Sequence, residues 1–253
     1  MRLDKYLVDN GYFESRTKAT YEIKEGNVLV DGKPVKPNYD YVTGTIEIVD
    51  KMPYVSRGGF KLEGAIKEFN LDFTDKVVLD IGSSTGGFTD CALKNVDKLL
   101  YSVDVGSDQL HHTLRQNPNV VVMENTNILD AKINETIDVL VMDVSFVSIK
   151  VLLDGILKYI NDSNYLICLI KPQFEYGKMV NKGIIKDKKM HLDVLNKVRD
   201  YLLEAGLYIN KLAPSPIKGG SGNIEFLALV SKHDKGYIDY LKVVENAHKK
   251  GIS

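Results

Sequence analysis

The stretch Val77-Val78-Leu79-Asp80-Ile81-Gly82-Ser83-Ser84-Thr85-Gly86-Gly87-Phe88 decides the fold. A short apolar run stops at Asp80, a turn rich in glycine and hydroxyls follows, and a helix-like segment runs from Phe88 to Lys94. Strand, glycine turn and helix make the entry unit of a nucleotide-binding α/β sheet. The glycines permit a sharp turn and let a ligand approach the main chain with no Cβ between them. Their spacing, G-x-x-x-G-G, differs from the G-x-G-x-x-G of folds that bind a pyrophosphate. A carboxylate at the strand tip would repel a pyrophosphate but suits an ammonium group. S-adenosylmethionine carries an ammonium, a sulfonium and an adenosine, and no phosphate. The loop therefore reads as its seat, with Asp80, Gly82, Ser84, Gly86, Gly87 and Phe88 as candidate contacts.

Further along the chain, apolar strands alternate with helical segments. Leu99 to Val103 forms a second strand ending at Asp104, about 20 residues past the glycines, where a carboxylate holds a ribose diol. Val120 to Met123 leads to Glu124 and Asn127, where an adenine edge would lie. Ile137 to Met142 ends at Asp143, and Tyr165 to Ile170 ends at Lys171-Pro172. Helices are expected over Ile149 to Ile160 and Met190 to Ala205, and final strands over Leu207 to Leu212 and Ile224 to Val230. This describes a mostly parallel sheet covered on both faces, with ligands outside the carboxyl ends of the strands. The long turn between the last two strands suits an antiparallel pair. A reversed final strand would bring its start, at Glu225, to the edge that holds Asp80, Asp104, Asp143 and Lys171.

Upstream of the glycine turn, Pro53, Gly58 and Gly59 mark a linker. Leu62, Ala65, Ile66 and Phe69 then recur at helical spacing and bury one face. Lys61 stands beside that stripe, with open space expected where Gly64 lacks a side chain. The domain boundary is placed between residues 55 and 56, with 56–70 as linker and leading helix.

The chain has 253 residues, 44% hydrophobic and 26% charged, with a formal net charge of −1. That is a soluble globular composition whose bulk charge argues neither for nor against a nucleic acid. No stretch has the apolar length of a membrane span, and the amino terminus lacks a signal-peptide core, so a cytoplasmic protein is expected. The two cysteines, Cys91 and Cys168, sit in separate apolar elements and read as buried thiols. Phe88 and Phe146 are likewise expected to serve the core. No metal-ligand spacing stands out among the histidines.

Residues 1 to 55 read as a small α+β module. Leu3, Leu7 and Val8 make a short amphipathic helix, and Ser15 caps a second one that stops at Gly26. Asp31-Gly32 between apolar residues signals a tight hairpin, and Thr45 to Val49 alternates like a strand. The order resembles the S4 domain, through Arg2-Leu3-Asp4-Lys5-Tyr6-Leu7, Ser15-Arg16 and Gly26-Asn27-Val28-Leu29-Val30-Asp31-Gly32. The resemblance implies RNA contact by Arg2, Lys5, Arg16 and Lys18. Eight Lys and Arg against nine Asp and Glu in this segment leave that affinity to a local patch.

Lys61, Asp143, Lys171 and Glu225 form the candidate catalytic cluster. Methyl transfer to a hydroxyl needs a base, and lysine serves when desolvation and a second cation favour its neutral form. Lys171, emerging from an apolar strand, is the better base candidate, with Lys61 as the second cation. The two acids would orient both ammonium groups while their charges raise the lysine pKa values, against the effect of desolvation. Two other chemistries fit less well. Amine methylation usually carries prolines after the fourth strand, where Asp143-Val144-Ser145-Phe146 has none. Pyrimidine carbon methylation usually needs a catalytic cysteine near this edge, and neither Cys91 nor Cys168 is placed for it.

With these residues in view the chain resembles the TlyA family, known as hemolysin A or as rRNA 2′-O-methyltransferases, and its larger part resembles the FtsJ/RrmJ ribose methyltransferases. The matching segments include Ser56-Arg57-Gly58-Gly59-Phe60-Lys61-Leu62, Asp80 to Asp90, Val103-Asp104-Val105-Gly106, Asp143-Val144-Ser145-Phe146, Leu169 to Glu175 and Gly222-Asn223-Ile224-Glu225-Phe226. Ser83 stands where family members often have alanine. The resemblance implies an S-adenosylmethionine-dependent enzyme that methylates a cytidine ribose in 16S and/or 23S rRNA, acting on ribosomal subunits without metal or membrane. It also places the family's Lys-Asp-Lys-Glu tetrad on Lys61, Asp143, Lys171 and Glu225. The rival expectation is a lytic or purely RNA-binding protein with an idle cofactor fold.

Overall fold

The computed structural model describes all residues except 25, 42, 50, 51, 97, 178–182, 221 and 250–253. The chain divides into two compact units, Met1–Pro53 and Tyr54–Ser253, a boundary just before the expected one.

The first unit carries α1 (Leu3–Asp9), α2 (Arg16–Lys24), β1 (Val28–Val30), β2 (Lys33–Pro34) and β3 (Ile46–Ile48). The strands form an antiparallel sheet in the order β2-β1-β3. Ser15 Oγ accepts from Lys18 N at 3.2 Å, the helix cap expected of it. Asp31 and Gly32 both take positive φ (51° and 71°), as a two-residue hairpin turn of this hand requires. Leu3, Leu7, Ala19, Ile23, Val28 and Val30 close a core between helices and sheet.

The second unit follows as α3 (Gly58–Phe69), β4 (Val78–Ile81), α4 (Gly87–Leu93), β5 (Leu100–Val103), α5 (His112–Arg115), β6 (Val120–Met123), β7 (Val139–Met142), α6 (Ile149–Leu157), β8 (Tyr165–Ile170), α7 (Pro172–Glu175), α8 (Lys188–Glu204), β9 (Tyr208–Pro214), β10 (Phe226–Ser231) and α9 (Tyr240–Lys249). Its sheet runs β6-β5-β4-β7-β8-β10-β9, parallel except for β10, which is antiparallel to both neighbours. The inner strands β4, β5, β7 and β10 are buried on both faces. Leu62, Ala65 and Phe69 of α3 pack with Phe88 and Cys91 of α4 against one face. Ile149 and Ile156 of α6 and Val194, Val198 and Leu202 of α8 cover the other. The chain order reverses beside β4, so the crevice outside its carboxyl end is the natural ligand site.

Four local expectations are corrected. Asp80 does not end its strand but lies within β4, opposite Ser102 and Val141, and is fully buried. Gly58 and Gly59 are not linker but the first turn of α3, where a Cβ on Gly59 would fall 2.2 Å from Tyr54 Cγ. The space beside Gly64 is not open: the ring of Pro216 fills it, its Cγ only 2.7 Å from where a Cβ would stand. Finally, β10 begins at Phe226, so Glu225 precedes the strand. The helix α9 was not anticipated, although Val244 and Ala247 give it a buried face at helical spacing.

Candidate active site

The glycine turn does what its composition requires. Gly82 and Gly86 take φ of 79° and 95°, left-handed conformations that glycine adopts without a Cβ penalty. Beneath the turn, Asp80 Oδ2 accepts from Thr89 Oγ1 at 2.6 Å. Asp80 Oδ1 and the neighbouring Ser83 Oγ are buried without a hydrogen-bond partner among the described residues. Burial pushes the Asp80 carboxyl up to about 7, against the downward pull of the Thr89 hydrogen bond. An orphaned buried carboxylate oxygen costs free energy unless a ligand supplies a donor.

Just past β5, Asp104 Oδ2 accepts from Ser84 N and Oδ1 from Gly106 N, both at 2.7 Å. Each oxygen keeps a second lone pair on which a ribose diol could sit. The segment after β6 is braced instead to its own neighbours. Glu124 accepts from Asp108 N, Gln109 N and Leu110 N and from Arg115, whose guanidinium leads in holding its carboxyl down at about 2. Asn127 Oδ1 accepts from Leu129 N, and Asn127 is not among the residues lining the cavity described next.

A cavity of about 220 Å³ opens at the carboxyl ends of β4 and β7. Of the candidate residues, Gly82, Ser84, Gly87, Phe88, Lys61, Asp143 and Lys171 line it. Gly86 shapes its turn, Asp80 lies beneath, and Asp104 reaches it through Ser84 N.

The four proposed catalytic side chains meet. Lys61 Nζ donates to Glu225 Oε2 at 2.7 Å and lies 3.9 Å from Asp143 Oδ2. Lys171 Nζ is 2.6 Å from Asp143 Oδ1, an ion pair outside hydrogen-bond geometry, and donates to Ser145 Oγ at 2.8 Å. Lys61, Lys171 and Glu225 are buried, while Asp143 keeps 18% of its side chain exposed. A chain of alternating charge, Glu225–Lys61–Asp143–Lys171, thus runs from a buried anchor to the cavity.

Several residues at the site were not foreseen. Thr89 lies one helical turn beyond Gly86, a position from which a hydroxyl reaches back to the strand. Ser145 follows Asp143 at a spacing that carried no signal of its own. Ser56, Arg57 and Lys218 line the cavity too, with Arg57 Nη2 donating to Lys218 O at 3.4 Å. Ser56 Oγ presses on α4 so closely that a Cβ on Gly87 would lie 2.2 Å from it. Phe146 corrects an expectation: it is no core residue but 91% exposed, with φ of 67°, its ring 5.2 Å from that of Phe174.

In the first unit, Arg2, Lys5 and Arg16 are exposed and Lys18 is half-buried. Arg2 and Arg16 both bond the buried carboxylate of Asp4, at 2.8 and 3.1 Å, and their hydrogen bonds, Arg2 first, hold it below the usual carboxylate range.

Comparison with known proteins bears on this geometry. The FtsJ-like methyltransferase family model matches residues 54–232, and the S4 domain model residues 1–45. Hemolysin A of Brachyspira hyodysenteriae is 43% identical over 236 residues, 90% of this chain and 98% of that one. The 16S/23S rRNA (cytidine-2′-O)-methyltransferase TlyA of Mycobacterium tuberculosis is 34% identical over 262 residues, 100% of this chain and 97% of that one. The chain belongs to the TlyA family. A solved structure of a hemolysin-like protein from Streptococcus thermophilus superposes on this TlyA-family chain with a TM-score of 0.78 at 36% identity, covering 99% of this chain and 96% of that one. The protein is thus a methyltransferase with an S4 domain at its amino end. Among the described residues, no helix is long and apolar enough to cross a membrane.

Proposed function

We propose that the protein transfers a methyl group from S-adenosylmethionine to the ribose 2′-hydroxyl of a cytidine in 16S and/or 23S rRNA, in the cytoplasm. The observation that carries the reading is the meeting of Lys61, Asp143, Lys171 and Glu225 beside the glycine turn. The naming of the M. tuberculosis relative supports the choice of substrate.

The site fits the cofactor on the chain's own chemistry. Asp80 Oδ1 offers a buried acceptor for an ammonium, Asp104 a carboxylate for a diol, Gly82, Ser84 and Gly87 a wall without bulk, and Phe88 an apolar one. Bound there, S-adenosylmethionine would supply an electrophilic methyl group on a sulfonium. Lys171 accepts the proton of the substrate hydroxyl, which an alcohol must shed to become a competent nucleophile. Asp143 holds Lys171 at the cavity, and Lys61, anchored on Glu225, supplies the second positive charge. A cysteine nucleophile is disfavoured, since burial pushes the thiols of Cys91 and Cys168 up to about 12.

Arg2, Lys5, Arg16 and Lys18 would hold RNA by its phosphates, and Phe146 would offer a stacking face to a base drawn from its helix. Its exposure and the ring of Phe174 behind it suit that role. The test is to incubate isolated 30S and 50S subunits from cells lacking this gene with the protein and methyl-labelled cofactor, then digest the RNA to nucleosides for mass spectrometry. The reading requires 2′-O-methylcytidine; a base-methylated nucleoside, or none, overturns it.

A further inference from the structure

Lys171 leaves β8 facing two acceptors of different kinds. Asp143 Oδ1 lies at 2.6 Å but outside hydrogen-bond geometry, so that contact gives attraction with little direction. Ser145 Oγ lies at 2.8 Å and accepts in hydrogen-bond geometry. A general base must aim its lone pair at the proton it takes. An ion pair alone leaves the ammonium free to turn about the Cε–Nζ bond. A hydrogen bond fixes one N–H direction and with it the other two vertices of the nitrogen.

The segment carrying Ser145 is itself braced against the segment carrying Lys171. The ring of Phe146 packs on that of Phe174. Ser148 Oγ donates to Glu175 Oε2 at 2.6 Å, and Ile149 N donates to Glu175 Oε1 at 2.8 Å. Phe146, immediately after Ser145, holds a left-handed φ of 67° that a bulky residue adopts only where its surroundings enforce it. Strain and bracing converge on the residue beside the hydroxyl, which is more than an incidental surface serine requires.

We propose that Ser145 is a positioning residue for proton transfer: its hydroxyl oxygen sets the direction in which Lys171 presents its amine to the substrate hydroxyl. The inference rests on the reading of Lys171 as the base. Lys171 first gives one ammonium proton to water; in the step it serves, the substrate O–H bond breaks and that proton goes to the neutral Lys171 Nζ. The freed oxygen pair forms the O–CH₃ bond as the C–S bond breaks, its electrons staying on sulfur, and the proton then leaves Nζ for water. One N–H of the neutral amine is fixed on Ser145 Oγ, and the lone pair takes one of the two vertices that this bond sets.

The test compares wild type with Ser145→Ala, Ser145→Cys, Ser145→Thr, Lys171→Ala and the Ser145→Ala/Lys171→Ala double variant. Each is assayed on 30S and 50S subunits from cells lacking this gene, with S-adenosylhomocysteine affinity and Tm measured alongside. Ser145→Ala should lower kcat roughly 10- to 100-fold, as misaimed groups do, with KM and cofactor affinity within about twofold. Ser145→Cys, the substitute should the Ala variant fail to fold, should show a similar loss because sulfur accepts weakly. Ser145→Thr should restore most of the rate, and the double variant should be no slower than Lys171→Ala. A Ser145→Ala enzyme with kcat within about twofold of wild type, beside an inactive Lys171→Ala, overturns the role of Ser145 alone. A loss confined to KM or to cofactor affinity overturns it as well. Full turnover by Lys171→Ala overturns the underlying assignment of the base.

Discussion

Cofactor affinity should depend on pH through Asp80. This carboxyl is fully buried, takes one hydrogen bond from Thr89, and has an unpartnered Oδ1; burial raises it from 3.8 to about 7. An ammonium binds the ionised form, so the apparent Kd should scale as one plus the ratio of protonated to ionised Asp80. Affinity should then be about tenfold weaker at pH 6 than at its plateau and about a hundredfold weaker at pH 5. At the alkaline end it should fall again as the ligand's own α-amino group loses its proton. The sign for stability runs the other way. A carboxyl raised on folding stabilises most below its unfolded value of 3.8, and that contribution is lost as pH climbs through about 7. The ligand-free protein thus carries about 4 kcal/mol of cost from this group at pH 8, which a bound ammonium offsets in part. Calorimetric titration of S-adenosylhomocysteine from pH 5 to pH 9 measures the affinity. Asp80→Asn should flatten the acid limb and weaken binding at pH 8 by about 1.5–3 kcal/mol, the worth of a charged hydrogen bond. Affinity that stays level from pH 5 to pH 8, or an unimpaired Asn variant, would refute the role given to Asp80.

Lys61→Ala should destabilise the fold by about 3–5 kcal/mol in urea titration, because Glu225, 2% exposed, would be left buried without its cation. Restoring stability with Lys61→Ala/Glu225→Leu would show that the unpaired charge, and not lost packing, is responsible. Gly87→Ala should cost about 1–3 kcal/mol in the same assay, since its Cβ would meet Ser56 Oγ at 2.2 Å and the Gly58 Cα at 3.0 Å. Phe146→Ala should leave stability within about 0.5 kcal/mol, given its exposure, yet lower methylation of ribosomal subunits; unchanged turnover would remove it from the site.

The legibility of this chain followed the physics of each element. Strands buried on both faces announce themselves as unbroken apolar runs, so β4, β5, β7 and β8 were readable, and their tips placed Asp143 and Lys171. Glu225 was reachable only through topology, since a reversed last strand presents its start at the edge. Where local pattern and packing compete, packing decided. Gly58 and Gly59 look like a linker, but the Tyr54 ring needs the missing side chain of Gly59 to admit the first turn of α3. Pro216, more than 150 positions away in the chain, fills the gap beside Gly64. Phe146 reads as core by hydrophobicity, yet it stands 91% exposed at a left-handed backbone position that no local pattern announces. Ser145 and Thr89 are ordinary hydroxyls in a sequence; what distinguishes them is a partner at hydrogen-bond distance.

If Lys171, held in a charge network with Asp143, Lys61 and Glu225, takes the proton from a ribose hydroxyl, its loss must slow the chemistry and spare cofactor binding. Single-turnover methylation of isolated subunits by wild type and Lys171→Ala, with S-adenosylhomocysteine affinity measured on the same preparations, tests it most directly. The methylation rate should fall at least about a hundredfold, the usual scale of a lost general base, with affinity within about threefold. A Lys171→Ala protein that methylates at the wild-type rate would contradict it.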